Sequence, residues 1–319
     1  MRELKIDEKT KDMRLDKVLR GYLKSAGEGF VQKMLRKKNI VVNGKKQSAS
    51  YRVREGDVIT LWLSDDTIRT MQGGDDAILE GLARCRHAYD TLRGEDDIKI
   101  GILHEDEDVL LLNKPVGVLS QRAFGADESV NEWAIGYLLH TGAVDEETLR
   151  ICRPSVANRL DRGTSGLLIF TRHVTAAREV SAMLSEKLTE KHYLAVVSGH
   201  APGTGASSGI TYTRLALSDK EDLSLLDVTL LEGKKHQIRQ SLSGAGLPVA
   251  GDTRYGNTRL NQRLLDTFGI NAQLLHARSV RFPEAPACRL SGIEGRAFTA
   301  PLPGKMRRMI QQTFARSID

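Results

Sequence analysis

The residues with the greatest chemical potential stand where a polar run meets an apolar one: Arg159-Leu160-Asp161-Arg162-Gly163-Thr164-Ser165-Gly166 leads straight into Leu167-Leu168-Ile169-Phe170. A carboxylate between two arginines at the mouth of a buried strand can serve as nucleophile or base. The small residues behind it allow a tight turn and the close approach of a ligand. Taken alone, Asp161 reads as a turn aspartate satisfied by neighbouring amides.

Two other segments offer partners. Glu232-Gly233-Lys234-Lys235-His236-Gln237-Ile238-Arg239-Gln240 follows a strand, and Arg239 is a candidate to pair with an acid elsewhere and hold it ionised. Its plain alternative is a solvated basic loop. Lys191-His192-Tyr193-Leu194-Ala195 places an aromatic ring on a strand whose face could line a pocket; an ordinary core tyrosine is the alternative.

The elements that must carry these groups alternate irregularly from about residue 98 onward. Strands are expected at 109–112, ended by Asn113-Lys114-Pro115, and at 167–170, 193–197, 226–231 and 280–282. A helix over 128–148 would turn Trp133, Ile135 and Leu138 or Leu139 inward. Another would start at a Thr175 cap and run through Ala176, Val180, Leu184 and Leu188. Without regular βαβ spacing or a Gly-x-Gly-x-x-Gly phosphate loop, the pattern predicts an α+β fold on a mixed, mostly antiparallel sheet.

Residues 14–63 read as a separate small module. Leu15, Val18, Leu19 and Leu23 keep helical spacing, as do Val31, Met34 and Leu35. Ile40-Val41-Val42 then turns at Asn43-Gly44, with Val53, Val58, Ile59 and Leu61 supplying the returning strand. Residues 1–63 carry sixteen Lys and Arg against eight Asp and Glu, whereas residues 64–97 carry four against nine. The overall charge of +6 therefore conceals a basic N-terminal surface, in which Lys33, Arg36, Lys37, Lys38, Lys45 and Lys46 could face a phosphate backbone. Residues 64–97, flanked by Ser64-Asp65-Asp66, Gly73-Gly74-Asp75-Asp76 and Glu95-Asp96-Asp97, read as a linker with one short helix. The division expected is thus 1–63, 64–97 and 98–319.

With 319 residues there is room for one large core and a satellite. No run of about 18 apolar residues could span a bilayer. Met1-Arg2-Glu3-Leu4-Lys5 has no apolar signal core, so a cytoplasmic protein is expected. Cys85, Cys152 and Cys288 are odd in number and far apart, and the eight histidines lack metal-ligand spacing, so neither a disulfide framework nor a metal is expected.

Arg14-Leu15-Asp16, Leu35-Arg36-Lys37, Val42-Asn43-Gly44 and Val53-Arg54-Glu55-Gly56-Asp57 together resemble the alpha-L, or S4-like, RNA-binding module. The three chemical segments, in their order, resemble the RluA/RluC/RluD family of pseudouridine synthases. Further matches are Glu105-Asp106 before Leu111-Leu112-Asn113-Lys114-Pro115-Val116-Gly117, Gly246-Leu247-Pro248-Val249 leading into Gly251-Asp252, Tyr255-Gly256, and Leu275-His276-Ala277 before Phe282. The resemblance spans roughly residues 101–285.

That resemblance implies roles. Asp161 takes the position of the catalytic aspartate, Tyr193 that of the tyrosine stacking on the target uracil and helping remove its C5 proton, and Arg239 that of the arginine pairing with the acid. Ile238 would pack on the base, and Arg159 would help fill the gap left in the RNA stack. Arg162, Thr164, His236, Gln237 and Lys114 are further expected substrate contacts. The implied reaction breaks the C1′–N1 bond of a flipped-out uridine, turns the uracil and joins C5 to C1′, with no cofactor. An ionised Asp161 would attack C1′ or take a C2′ proton, and the residue types leave both routes open. The partner implied is RNA, with large-subunit (23S) ribosomal RNA favoured, transfer RNA the alternative, and a monomer needing no protein partner. The chain departs from the family pattern at Asn158, usually His, and at Lys234-Lys235, usually Arg-Thr. Two rival readings are a non-catalytic RNA-binding factor and a glycosidase pairing Asp161 with Glu105 or Asp252; the latter needs a second acid opposite Asp161, where the family pattern brings an arginine.

Overall fold

A computed structural model describes residues 1–73, 76–93, 99–123 and 127–315, with the backbone alone at 76–78. From the N-terminus, β1 (Arg2–Lys5), α1 (Leu15–Tyr22), α2 (Glu28–Arg36), β2 (Ile40–Val42) and β3 (Val58–Leu61) precede α3 (Asp65–Gln72) and α4 (Asp76–Thr91). Next come β4 (Gly101–Glu105), β5 (Val109–Lys114), α5 (Val130–His140), α6 (Glu146–Ile151), β6 (Ser155–Val156), β7 (Ser165–Thr171) and α7 (Val174–Ser185). The remainder is β8 (Glu190–Ser198), β9 (Thr204–Ser207), β10 (Ile210–Ser218), β11 (Leu223–Leu230), α8 (Gln237–Gly244), α9 (Thr258–Phe268), β12 (Leu275–Arg281), β13 (Ala297–Thr299) and α10 (Gly304–Phe314).

The chain forms two compact units. One is built from Met1–Asp90, Glu132–Ser155 and Thr171–Arg178, the other from Thr91–Asn131, Val156–Phe170 and Glu179–Asp319. In the first, the two amphipathic helices expected from sequence bury Leu15, Val18, Leu19, Val31 and Leu35 against Leu4, Ile40, Val42, Ile59 and Leu61 of a three-stranded sheet ordered β1-β3-β2. The Asn43-Gly44 turn forms with both residues at positive φ, as expected, but β2 pairs with β3 beyond a long excursion, and β1 adds a strand on the other side. Residues 64–97 hold more order than a linker: α3 is capped by Ser64 and buries Ile68, and α4 is a 16-residue helix. Gly74, Asp75 and Glu95-Asp96-Asp97 of the acidic flanks, and the boundary near 97, lie outside the described residues.

Residues 132–155 also join this unit. Gly21 of α1 lies so close to α6 that a Cβ would stand 2.6 Å from the Ile151 carbonyl oxygen, which fixes glycine there. The single helix expected over 128–148 is two helices, because the chain turns at Gly142 with φ +70° and Asp145 caps a new helix through the Thr148 amide. Trp133, Ile135 and Leu138 are buried as expected. The next helix begins one residue before the expected cap: His173 Nδ1 accepts the Ala176 amide at 3.2 Å, while Leu188 lies beyond the helix and is exposed.

The second unit is organised by one sheet in the order β4-β5-β7-β12-β8-β11-β10-β9, with β6 on β7 and β13 on β12. Pairing is mostly antiparallel; β12 and β7 run parallel. Strand alternation sorts the side chains of β8. Tyr193, Ala195 and Val197 pack with Ile238 and Leu242 of α8, whereas Leu194 and Val196 pack with Leu260 and Leu264 of α9 and Met306, Met309 and Ile310 of α10. The sheet is thus covered on both faces by helices. Register then sets one row, Gly166 opposite Ala277, Ala277 opposite Tyr193 and Tyr193 opposite Val228, on the α8 side. At Gly166 φ is +111° and a Cβ would lie 2.2 Å from the Ala277 carbonyl oxygen, so only glycine lets β7 pair with β12 here. Among the described residues no helix is long and apolar enough to cross a membrane. The three cysteines are free and buried, and burial pushes the Cys85 and Cys152 thiols up to about 11.

Candidate active site

Asp161 opens the turn that feeds β7, closed by the Thr164 amide donating to the Asp161 carbonyl at 3.0 Å. Facing it is Arg239, in the first turn of α8. His236 precedes that helix in the left-handed region, φ 56°, which aims the chain so that Arg239 points back over the sheet. Arg239 Nη1 donates to Asp161 Oδ2 at 2.8 Å. Its other edge is held by a second carboxylate, with Nε to Asp252 Oδ2 at 2.6 Å and Nη2 to Asp252 Oδ1 at 2.9 Å. One guanidinium therefore bridges an outer acid, whose side chain is 25% exposed, and an inner one that is fully buried.

The inner acid is the anchor. Burial alone would raise the Asp252 carboxyl, but Arg239 and the Arg254 and Tyr255 amides outweigh it and hold the group below its usual value. Asn261 Nδ2 donates to the Asp252 carbonyl at 2.8 Å, and the Tyr255 ring lies under Arg239 at 5.2 Å. The Tyr255 hydroxyl in turn meets His236 Nδ1 at 3.1 Å and accepts from Gln240 at 2.9 Å. His236 Nε2 is 3.7 Å from Asp161, too far for a hydrogen bond. Burial, more than offsetting the attraction of Asp161, lowers the His236 pKa, so the ring is neutral at pH 7.

A cleft of about 710 Å³ opens over Asp161, lined by Val116, Gly117, Leu119, Ser120, Gln121, Arg159–Gly163, Gly233–His236, Arg239, Thr253 and Asn271–Gln273. Among the described residues Asp161 is the one carboxylate in that lining, beside exposed Arg159, Lys234 and Lys235. A smaller pocket of about 80 Å³ adjoins it, where Tyr193, Ile238 and Leu160 meet Asp161 and Arg239. Burial, with Asp161 adding to it, pushes the Tyr193 phenol upward, so it stays protonated. Asp161, Tyr193, Arg239, Ile238, Arg159 and His236 thus converge, although as many as 80 positions separate them in sequence.

Other expected contacts are placed differently. Lys114 is fully buried and donates to the carbonyls of Pro115 at 2.9 Å, Val118 at 2.7 Å and Arg162 at 3.1 Å. It fastens the end of β5 to the Asp161 turn instead of facing a ligand. Burial pushes its pKa down to about 7, although three carbonyls match the three protons of an ammonium. Arg162 lines the cleft while donating to the Gly117 carbonyl and to Asp127, and Gln237 lines the smaller pocket while donating to Ser208 and Ser241. Thr164 is buried and accepts from Gln273 at 3.1 Å. Asn158 accepts the Ile169 amide at 2.7 Å, so this departure from the family pattern serves the fold. Lys33, Arg36, Lys37, Lys38, Lys45 and Lys46 of the first unit are all exposed, and none has an ion-pair partner among the described residues. Asp252, Asn261 and Gln273 were not marked as supporting residues in the sequence; the Gly-Asp and Tyr-Gly motifs around Asp252 and Tyr255 were the available signal.

Residues 108–244 match the RNA pseudouridylate synthase family, and residues 13–59 match the S4 domain. The chain is 29% identical over 303 residues to a Vibrio cholerae protein named ribosomal large subunit pseudouridine synthase C, covering 87% of each chain. It is 27% identical over 328 residues to a protein of the same name from Escherichia coli K12, covering 94% of this chain and 92% of the other. A solved human structure, RNA pseudouridylate synthase domain containing 4, shares the fold with a TM-score of 0.52 at 18% identity, over 74% of this chain and 97% of that one.

Proposed function

The chain belongs to the RNA pseudouridylate synthase family, carries an S4 domain and converts uridine to pseudouridine; from that premise we propose that it does so in large-subunit ribosomal RNA with Asp161 as the catalytic carboxylate. The observation that carries the proposal is the Asp161–Arg239–Asp252 bridge at the floor of a cation-rimmed cleft. A target uridine enters only after leaving its stack, which costs a few kcal/mol. Arg159, Lys234 and Lys235 at the rim suit the flanking phosphates, and the Tyr193–Ile238 pocket suits the planar uracil.

Within this arrangement Asp161 either bonds to C1′ as the C1′–N1 bond breaks, or takes the C2′ proton to leave a glycal. In the first route the Asp161–C1′ bond breaks as C5 of the turned uracil bonds to C1′; in the second Asp161 returns its proton to C2′ as that bond forms. In both, the C5 proton is lost while N1 gains one, so the net change is an isomerisation. Arg239 aims Asp161, since a guanidinium already fixed by Asp252 has one edge left to give. Tyr193, neutral and buried, is a stacking surface; to receive the C5 proton it must pass its own proton on. No cofactor, obligatory protein partner or second subunit is required for these steps, and a cytoplasmic monomer is the proposed working form. Mapping pseudouridine in total RNA from cells with and without the gene tests the substrate: loss at a large-subunit position is expected, and an unchanged map overturns the assignment.

A further inference from the structure

Among the large hydrophobic side chains that the described residues leave exposed, one is aromatic: Trp62, with 57% of its surface accessible. Its neighbours in sequence behave as strand alternation demands, Leu61 buried without remainder and Leu63 half-buried, so the indole is the outward member of the series. An indole carries enough apolar surface to make a core side chain, and leaving it in water is unfavourable unless something covers it. What lies beside it is cationic. The Trp62 amide donates to the Asn39 carbonyl at 2.7 Å, which sets Trp62 across from the loop that ends α2, directly after Arg36, Lys37 and Lys38. Lys38 holds φ +60°, so the chain turns sharply there, and all three cations are exposed without an ion-pair partner among the described residues. On the other side of β3, Leu61 pairs with Arg2, also exposed.

We propose that Trp62 and the adjoining Arg36-Lys37-Lys38 segment form a docking site for an unpaired RNA base, the indole stacking on the base and the cations taking the phosphates on either side. The charge beside the ring favours a polyanion over an apolar protein surface, and a flat π-face serves any base, so the site gives affinity and not sequence choice. It is remote in sequence from the uridine pocket and deepens the RNA-binding reading, on which it rests: the RNA held by the S4 domain must offer a single-stranded nucleotide, not a duplex face alone.

The chain has two tryptophans, and Trp133 is buried at 3% exposure, so a base stacked on Trp62 reports itself in the emission. The full chain is titrated with a single-stranded oligouridylate, with a blunt RNA duplex and with heparin, which offers anions but no bases. Oligouridylate is expected to quench emission strongly and saturably, and heparin and the duplex to leave it nearly unchanged. W62A should bind oligouridylate about tenfold or more weaker, W62F should keep most of the affinity, and heparin binding should be equal in all three proteins. Saturation with oligouridylate without quenching, or wild-type affinity in W62A, overturns the proposal. So does a change of oligomeric state in W62A with RNA affinity intact, which would mark a protein contact. Quenching by oligouridylate in a protein that leaves ribosomal RNA unmodified would refute the substrate assignment and leave this site standing.

Discussion

Replacing Asp252 by Asn probes the device that aims Arg239. Asp252 Oδ1 accepts Arg239 Nη2 at 2.9 Å and the Arg254 and Tyr255 amides at 2.9 and 3.0 Å, while Oδ2 accepts Arg239 Nε at 2.6 Å. In the Asp252→Asn protein the amide oxygen can keep the first three donors only by turning its NH2 onto Arg239 Nε, donor against donor; flipped, it loses the three instead. Removing one partner of a buried pair costs about 3–5 kcal/mol, which in a domain of this size lowers the melting midpoint by on the order of 10 °C. Arg239, left with one of its two hydrogen bonds to position 252, shifts, and a displacement of about 1 Å at a reacting group costs about 10²-fold in rate. Single-turnover pseudouridine formation at saturating RNA should fall by about that factor, with RNA affinity nearly unchanged because Asp252 reaches no ligand. Acid adds an independent reading. Because the folded Asp252 carboxyl lies below its ordinary value, its contribution is complete above about pH 3.9 and is lost as pH falls through the folded value, so wild type should lose more stability than the variant between pH 5 and 2. A folded Asp252→Asn protein with full single-turnover rate would refute the reasoning.

Other outcomes follow from the same contacts. His276 is buried between the Ser165 hydroxyl at 2.9 Å and the Ala300 carbonyl at 3.0 Å, and burial pushes its pKa down to about 4. Stability contributed by the neutral ring is therefore complete above about pH 6.5 and falls by about 3 kcal/mol toward pH 4; chemical denaturation across that range should show the slope in wild type and not in His276→Gln. Reversing Lys37 and Lys38 to Glu should weaken RNA binding and flatten its salt dependence while single-turnover chemistry at saturating RNA persists, and an unchanged salt slope would remove those lysines from the RNA surface. Charge reversal is a cleaner test than deleting residues 1–63, because Gly21 packs on Ile151 within one unit and truncation would uncover that contact.

Much of this was legible in the sequence, and the exceptions have physical causes. Local signals carried α1, α2 and the Asn43-Gly44 turn, since apolar spacing and positive-φ residues act over a few positions. α3 was not expected, because an acidic, weakly apolar stretch looks like a linker until a tertiary surface receives its one buried side, Ile68. Asp161, Tyr193 and Arg239 were identified through motif resemblance, not through spacing, because nothing local tells a turn aspartate from a catalytic one. Lys114 shows the reverse error. A lysine at a strand end reads as a ligand contact, and only the fold reveals three carbonyls converging on its amine. Asp252 reads in the sequence as a rival acid, whereas its burial behind Arg239 makes it a support for the Asp161–Arg239 pair.

The central claim is that Asp161 carries out the isomerisation. Pseudouridine formation replaces the C5 proton, so large-subunit ribosomal RNA transcribed with uridine tritiated at C5 releases tritium to water as the reaction proceeds. The wild-type protein should release label in step with pseudouridine formed, and Asp161→Asn should bind the same RNA and release none above background. Tritium release by Asp161→Asn at a rate near wild type would contradict the account.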